Sequence, residues 1–228
     1  FIFLASILAG IPKLAADSLS AVPQPVLARH GMVVAQEPQA ARIGVEVLRQ
    51  GGNAVDAAVA TGFALAVTYP RAGNIGGGGF MVIHLAVGRR NIAIDYREIA
   101  PAATTHDVFL DDKGEADPAK SRDGGLAIGV PGTVAGLVLA HRKYGSGRLT
   151  LAQLIAPSIA LARNGFILDG DIADTLASAR PLLARWPSTM KIFFKGDAIL
   201  STGETLIQTD LANSLEAIAR LSARGFYE

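Results

Sequence analysis

Apolar residues Ile43, Val47 and Leu48 recur at helical spacing between residues 39 and 50, and Gly51-Gly52 follows where a helix stop favours glycine. Asn53 suits the cap of a second helix over residues 54–69, which Pro70 ends. That helix carries alanine on every side (Ala54, Ala57, Ala58, Ala60, Ala64, Ala66), a pattern that predicts burial all round rather than one solvated face. Residues 80–87 are apolar apart from His84, predicting a strand buried on both faces, with residues 91–98 as its hairpin partner across Gly88-Arg89-Arg90. Turn-formers and charges dominate residues 101–129, which predicts a long surface connection with a short β-like piece at 108–110.

Beyond Gly129 the helical period returns. Pro131 suits a first-turn proline of a helix reaching Tyr144, and Gly145 suits its end. Further helices are predicted over 150–163, 171–183 and 210–224, with Asp171 and Asp210 as cap-like starts, and short strands at 192–194 and 206–208. The pattern amounts to an α+β chain whose second half is mainly helical.

Between the second helix and the first strand lie four consecutive glycines, residues 76–79. Without a Cβ, such a run lets backbone approach backbone. The order helix, glycines, strand is the reverse of a phosphate-binding loop, and no Gly-Lys-Ser/Thr ending is present, so the pattern argues against a nucleotide cradle. A tight junction in a packed core accounts for it.

Composition narrows the function classes. Half of the 228 residues are hydrophobic, enough for one substantial core. With 18% charged residues and a net charge of +1, the chain has no broad basic field, and nucleic acid is not an expected partner. The absence of cysteine excludes thiolate metal sites, cysteine nucleophiles and disulfides, and suits either the cytoplasm or a bacterial periplasm. Residues 1–12 are almost wholly apolar and precede Lys13 and the small pair Ala15-Ala16, which reads as the remnant of an export signal over residues 1–20, ahead of one domain over 21–228. Twelve apolar residues are too few to cross a bilayer as a helix, and charges interrupt every later apolar stretch, so no membrane span is expected.

Arg97 is the residue whose chemistry draws attention. Alternation along Ile92-Ala93-Ile94-Asp95-Tyr96-Arg97 puts Ala93, Asp95 and Arg97 on one face and Ile92, Ile94 and Tyr96 on the other. A guanidinium at the end of a buried strand either pairs internally, here with Asp95 or Glu98, or offers its fork of donors to a ligand carboxylate. His30, His84, His106 and His141 have no metal-ligand spacing, and His84 reads as a hydrogen-bonded sheet residue. No serine lies in a Gly-x-Ser-x-Gly elbow, and Asp111, Asp112 and Asp117 read as a solvated turn, lacking the twelfth-position glutamate of a calcium loop. No cofactor or metal is expected.

Three strings together carry a family likeness: GGNAVDAAVATGFALAVTYPRAGNIGGGGF over 51–80, AIDYREIAP over 93–101 and GVPGTVAGL over 129–137. In this order and spacing they resemble the γ-glutamyltransferases, also called glutathione hydrolases, and the likeness extends more loosely from Gly31 to the final GFYE. The resemblance implies an exported N-terminal-nucleophile hydrolase sandwich, two sheets between helical layers, cut from one precursor into a large and a small subunit. A threonine freed by that cut attacks the γ-glutamyl amide, with its own α-amino group as base, an apt pairing because that amine titrates near neutrality. The glutamyl unit passes to water, an amino acid or a peptide.

By the same resemblance, Arg97 is the arginine that binds the substrate's α-carboxylate, and the chain is part of the large subunit. The threonine nucleophile and the small-subunit partner are expected outside these 228 residues, so no catalytic residue is assigned here and the chain alone is expected to be inactive. Thr104-Thr105-His106 imitates the family's processing tripeptide but directly follows AIDYREIAP, where the family has an ordinary loop. Two other functions are conceivable: a cephalosporin acylase of the same superfold, and a γ-glutamyl-binding module without turnover.

Overall fold

The computed structural model describes residues 25–122 and 124–228. The expected export segment, residues 1–20, lies outside the described residues. Residues 25–30 carry no helix or strand.

The chain enters α1 (Pro38–Arg49) through Glu37, whose carboxylate accepts from the Gln39 and Ala40 amides, with Pro38 in the first turn. Gly51, at φ +88°, turns the chain out of the helix, as expected of that glycine pair. Asn53 and Asp56 then cap α2 (Ala54–Thr68) reciprocally, each side chain accepting from the other's end of the first turn. Eleven of the fifteen α2 residues are buried, but burial is not all round, contrary to what the alanine pattern predicts: Ala54 and Ala58 are exposed and Gly62 and Leu65 only partly covered, a stripe along one side of the helix.

The hairpin of β1 (Phe80–Leu85) and β2 (Arg90–Asp95) is antiparallel, with Phe80 opposite Asp95 and Ile83 opposite Ile92. Its turn uses Gly88 and Arg89, both at positive φ. The expectation that β1 is buried on both faces is overturned. Met81, Ile83 and Leu85 face the core, whereas Phe80 and Val82 are 65% and 80% exposed. The reason is that, among the described residues, no second layer packs on the face that carries Phe80 and Val82.

The connection over 101–129 is mostly exposed but holds a short helix, α3 (Pro118–Arg122), and a single 3-10 turn at Gly125–Ala127. The β-like piece at 108–110 is reduced to one bridge, Leu110 to Ala116. Next comes α4 (Thr133–Tyr144), so that Pro131 precedes the helix instead of occupying its first turn. α5 (Leu151–Asn164), capped by Thr150 with Gln153, leads to β3 (Phe166–Ile167) and α6 (Gly170–Leu183). Asp169, rather than Asp171, caps α6 by accepting from the Ile172 amide.

α7 (Pro187–Phe193) takes up Ile192 and Phe193, which were expected in a strand, and the chain becomes extended only at β4 (Phe194–Lys195), paired with β5 (Ala198–Ile199). β6 (Thr205–Leu206) pairs with β3 and precedes α8 (Thr209–Leu221) and α9 (Arg224–Tyr227). α8 has no side-chain cap, and Asp210 lies within its first turn. The Gln208 side chain donates instead to the Val67 carbonyl, while its amide donates to that of Ala162, so the ends of α2 and α5 meet the start of α8.

Gly31–Glu228 is one compact unit with a core centred on α2. Val59, Phe63 and Val67 of α2, Leu154 and Ile155 of α5, and Leu215 and Ile218 of α8 are fully or almost fully buried there. Among the described residues no helix is long and apolar enough to cross a membrane.

Candidate functional site

Arg97 lies two residues beyond Asp95, the last residue of β2, and the alternation read from the sequence holds: Ile94 is buried and Tyr96 half-buried, while Ala93, Asp95 and Arg97 are exposed. Two pairings bracket the arginine. On one side Tyr96 exchanges backbone hydrogen bonds with Gly79 (3.0 and 3.3 Å), extending the hairpin ladder by one rung into the glycine run. On the other Ile99 exchanges them with Val130 (2.8 and 3.3 Å). Arg97 and Glu98 form the short unpaired step between these rungs.

Gly78 and Gly79 of the glycine run are required by this step, whereas a Cβ on Gly76 would meet nothing within 4 Å. A Cβ on Gly78 would lie 2.7 Å from both the Glu98 nitrogen and the Tyr96 oxygen, so only glycine lets the loop cross the strand end. Gly136 of α4 meets the Tyr96 ring in the same way. The loop is therefore a junction that carries the arginine, consistent with the packed junction expected from the sequence.

The internal salt bridge considered for Arg97 is not formed. Asp95 turns back to accept from the Arg97 amide (3.0 Å), and the Glu98 carboxylate lies over Gly78. Among the described residues no ion pair to Arg97 forms. Nor is its guanidinium buried: the strand end opens into a cleft of about 430 Å³, bounded by Arg97, Ile99, Val130, Pro131, Leu139 and Tyr227. A guanidinium at the edge of an apolar cleft, free of internal partners, retains its donors for an anionic ligand.

The cleft wall is held by the start of α4. That helix has no side-chain cap of its own; the Gly77 carbonyl accepts from the Gly132 and Thr133 amides, and the Tyr227 hydroxyl accepts from the Ala135 amide while donating to the Pro131 carbonyl. Sequence reading missed Tyr227, because no local pattern joins it to residues almost a hundred positions earlier. Burial pushes the Tyr96 hydroxyl above its ordinary range.

The other candidates take structural places. His84 bonds the Asn91 side chain across the hairpin at 2.8 Å, as a sheet residue. His141 meets the Leu149 carbonyl through Nε2. Asp111 accepts from the Lys113 and Glu115 amides in an exposed turn, which holds its carboxyl below the usual range. Thr104, Thr105 and His106 lie exposed in the connection after Pro101. Among the described residues no cluster of histidine and acidic side chains is arranged to hold a metal ion.

Comparisons with known proteins agree with these strings and this architecture. The chain is 48% identical over 205 residues to the glutathione hydrolase proenzyme of Escherichia coli, an alignment covering 90% of this chain and 35% of that protein. The chain thus spans about a third of the length of the curated relatives it matches. Its structure superposes on the Helicobacter pylori gamma-glutamyltranspeptidase with a TM-score of 0.86 at 48% identity, covering 90% of this chain and 58% of that one. A cephalosporin acylase from Bacillus halodurans superposes with a TM-score of 0.75 but at 25% identity, covering 91% of this chain and 40% of the other. The fold is that of the N-terminal-nucleophile hydrolases, as the motifs implied, and the acylase shares the architecture at about half the identity. The gamma-glutamyltranspeptidase family model matches residues 40–228, and the chain belongs to that family.

Proposed function

We propose that this chain is part of the large subunit of an enzyme that transfers or hydrolyses γ-glutamyl groups, and that Arg97 anchors the α-carboxylate of the γ-glutamyl substrate. The observation that carries the reading is the exposed Arg97 at the cleft edge, with Asp95 bonded to the Arg97 backbone amide and the Glu98 carboxylate lying over Gly78. A bidentate guanidinium–carboxylate pair would fix one end of the glutamyl unit and leave its γ-carbonyl a side-chain length away. There a threonine hydroxyl of the small-subunit partner, from the same precursor and outside these 228 residues, would attack. Its proton would pass to the threonine's α-amino group and from there to the amide nitrogen as the C–N bond breaks, so that the amine leaves and an acyl-enzyme remains for water or an amine acceptor to resolve.

The exposed hydrophobic face of the hairpin, Phe80 and Val82, supports a partner sheet from that second subunit. The apolar start of the chain supports export, with the complete enzyme periplasmic or secreted.

The test is Arg97→Ala in the complete, processed enzyme. Removing a desolvated charge pair should cost about 2–5 kcal/mol of transition-state stabilisation, read as the fall in kcat/KM for γ-glutamyl substrates. Kinetics equal to those of the parent would remove Arg97 from the site.

A further inference from the structure

The backbone around Arg97 forms a closed ring. Gly79 pairs with Tyr96, Val130 pairs with Ile99, and the loop segments leading to Gly79 and away from Val130 are joined where the Gly132 and Thr133 amides share the Gly77 carbonyl (2.7 and 3.0 Å). One side-chain link spans the same joint: the Thr133 hydroxyl donates to the Asn74 Oδ1 at 3.1 Å. Asn74 itself donates from Nδ2 to the Ala72 carbonyl at 3.0 Å, which fixes the orientation of its amide. Thr133 is 7% exposed.

We propose that the Thr133 hydroxyl and the Asn74 carboxamide act as a positioning clamp for Arg97, setting the strand end from which the guanidinium reaches a substrate carboxylate. The inference rests on the α-carboxylate role proposed for Arg97. Its physical basis is that Gly76, Gly77, Gly78 and Gly79 have no side chains to lock the loop, so its placement depends on what holds its two ends. At the far end the hairpin ladder does so. At the near end the Gly73 amide bonds the Tyr69 carbonyl at the end of α2, and the shared Gly77 carbonyl and the Asn74–Thr133 bond tie the loop to the start of α4. Loosening that end shifts Arg97 without touching it, and small displacements of a positioning group have large kinetic effects.

The clamp is distinguishable from a merely structural contact because Arg97 matters only for substrates that carry the α-carboxylate. The measured quantity is the ratio of kcat/KM for γ-glutamyl-p-nitroanilide to that for 4-aminobutyryl-p-nitroanilide, which keeps the amine and the scissile amide but lacks the carboxylate. It is taken in the complete, processed enzyme. Thr133→Val, which replaces the hydroxyl with a methyl group, should lower the ratio about tenfold. Thr133→Ser should restore it to within about threefold of the parent, since serine regains the donor. Asn74→Ala, at an exposed position, should lower the ratio to the same extent and decides the matter if Thr133→Val fails to mature.

In an Arg97→Ala background neither change should lower the ratio further. Equal losses on both substrates, or an unchanged ratio in Asn74→Ala, would overturn the clamp. An unchanged ratio in Arg97→Ala alone would instead overturn the carboxylate role on which it rests.

Discussion

The carbonyl oxygen of Tyr96 fills the space that a side chain on Gly132 would need. Gly132 has φ −109° and ψ −16°, a conformation open to any L residue, so the requirement for glycine here is purely one of contact. Gly132→Ala should therefore lower stability by about 1–3 kcal/mol through overpacking against backbone that cannot rotate away. Gly76→Ala is the control, because a Cβ there meets nothing within 4 Å. It should be neutral or stabilising by about 0.4–1 kcal/mol. Denaturant unfolding of both variants in the complete protein checks the pair, and equal effects would refute the contact argument.

Much of this arrangement is legible in the sequence where a local rule governs it. The α2 cap at Asn53, the stop at Gly51 and the two faces of β2 follow from residues a few positions apart, and they stand as read. What is not legible depends on distant partners. Asp171 looked like a cap because it opens an apolar period, yet Asp169 has the geometry to reach the Ile172 amide. Phe80 and Val82 looked like core residues, but whether an apolar strand is covered on its second face is decided by a neighbouring sheet. Arg97 illustrates both halves: its face was legible from alternation, whereas its freedom from Asp95 and Glu98 depends on where a turn and a glycine loop place those carboxylates.

Tyr96 supplies a pH dependence. Its ring packs against Gly79 and Gly136, and burial raises its pKa above the ordinary value of 10.0. The unfolded chain, with the lower pKa, loses this proton first as pH rises. The stabilisation is thus complete below about pH 10 and declines as pH climbs through the folded value. Tyr96→Phe should remove that part of the alkaline decline and leave neutral stability nearly unchanged, since the hydroxyl's one bond, to the Phe80 carbonyl, is long at 3.4 Å. Thermal midpoints at pH 8 and pH 11 test this, and parallel shifts of parent and variant would contradict it.

Asp56 is completely buried, and its carboxylate joins α2 to the loop after α4. Oδ2 accepts from the Asn53 and Ser146 amides, both at 3.0 Å, while Oδ1 has no hydrogen bond and lies 3.9 Å from Nε2 of His141. The Asn53 amide group adds a bond to the Tyr144 carbonyl, so α2 and the end of α4 are joined through adjacent side chains. Asp56→Ala strands two amides in the interior and should lower stability by about 2–4 kcal/mol. Asp56→Asn keeps one acceptor oxygen for both amides and should lose less. Urea unfolding of the two variants separates the contributions. If asparagine proves as damaging as alanine, the negative charge, not the acceptor geometry, is what holds this joint, and the His141 ring at 3.9 Å becomes the group to alter next.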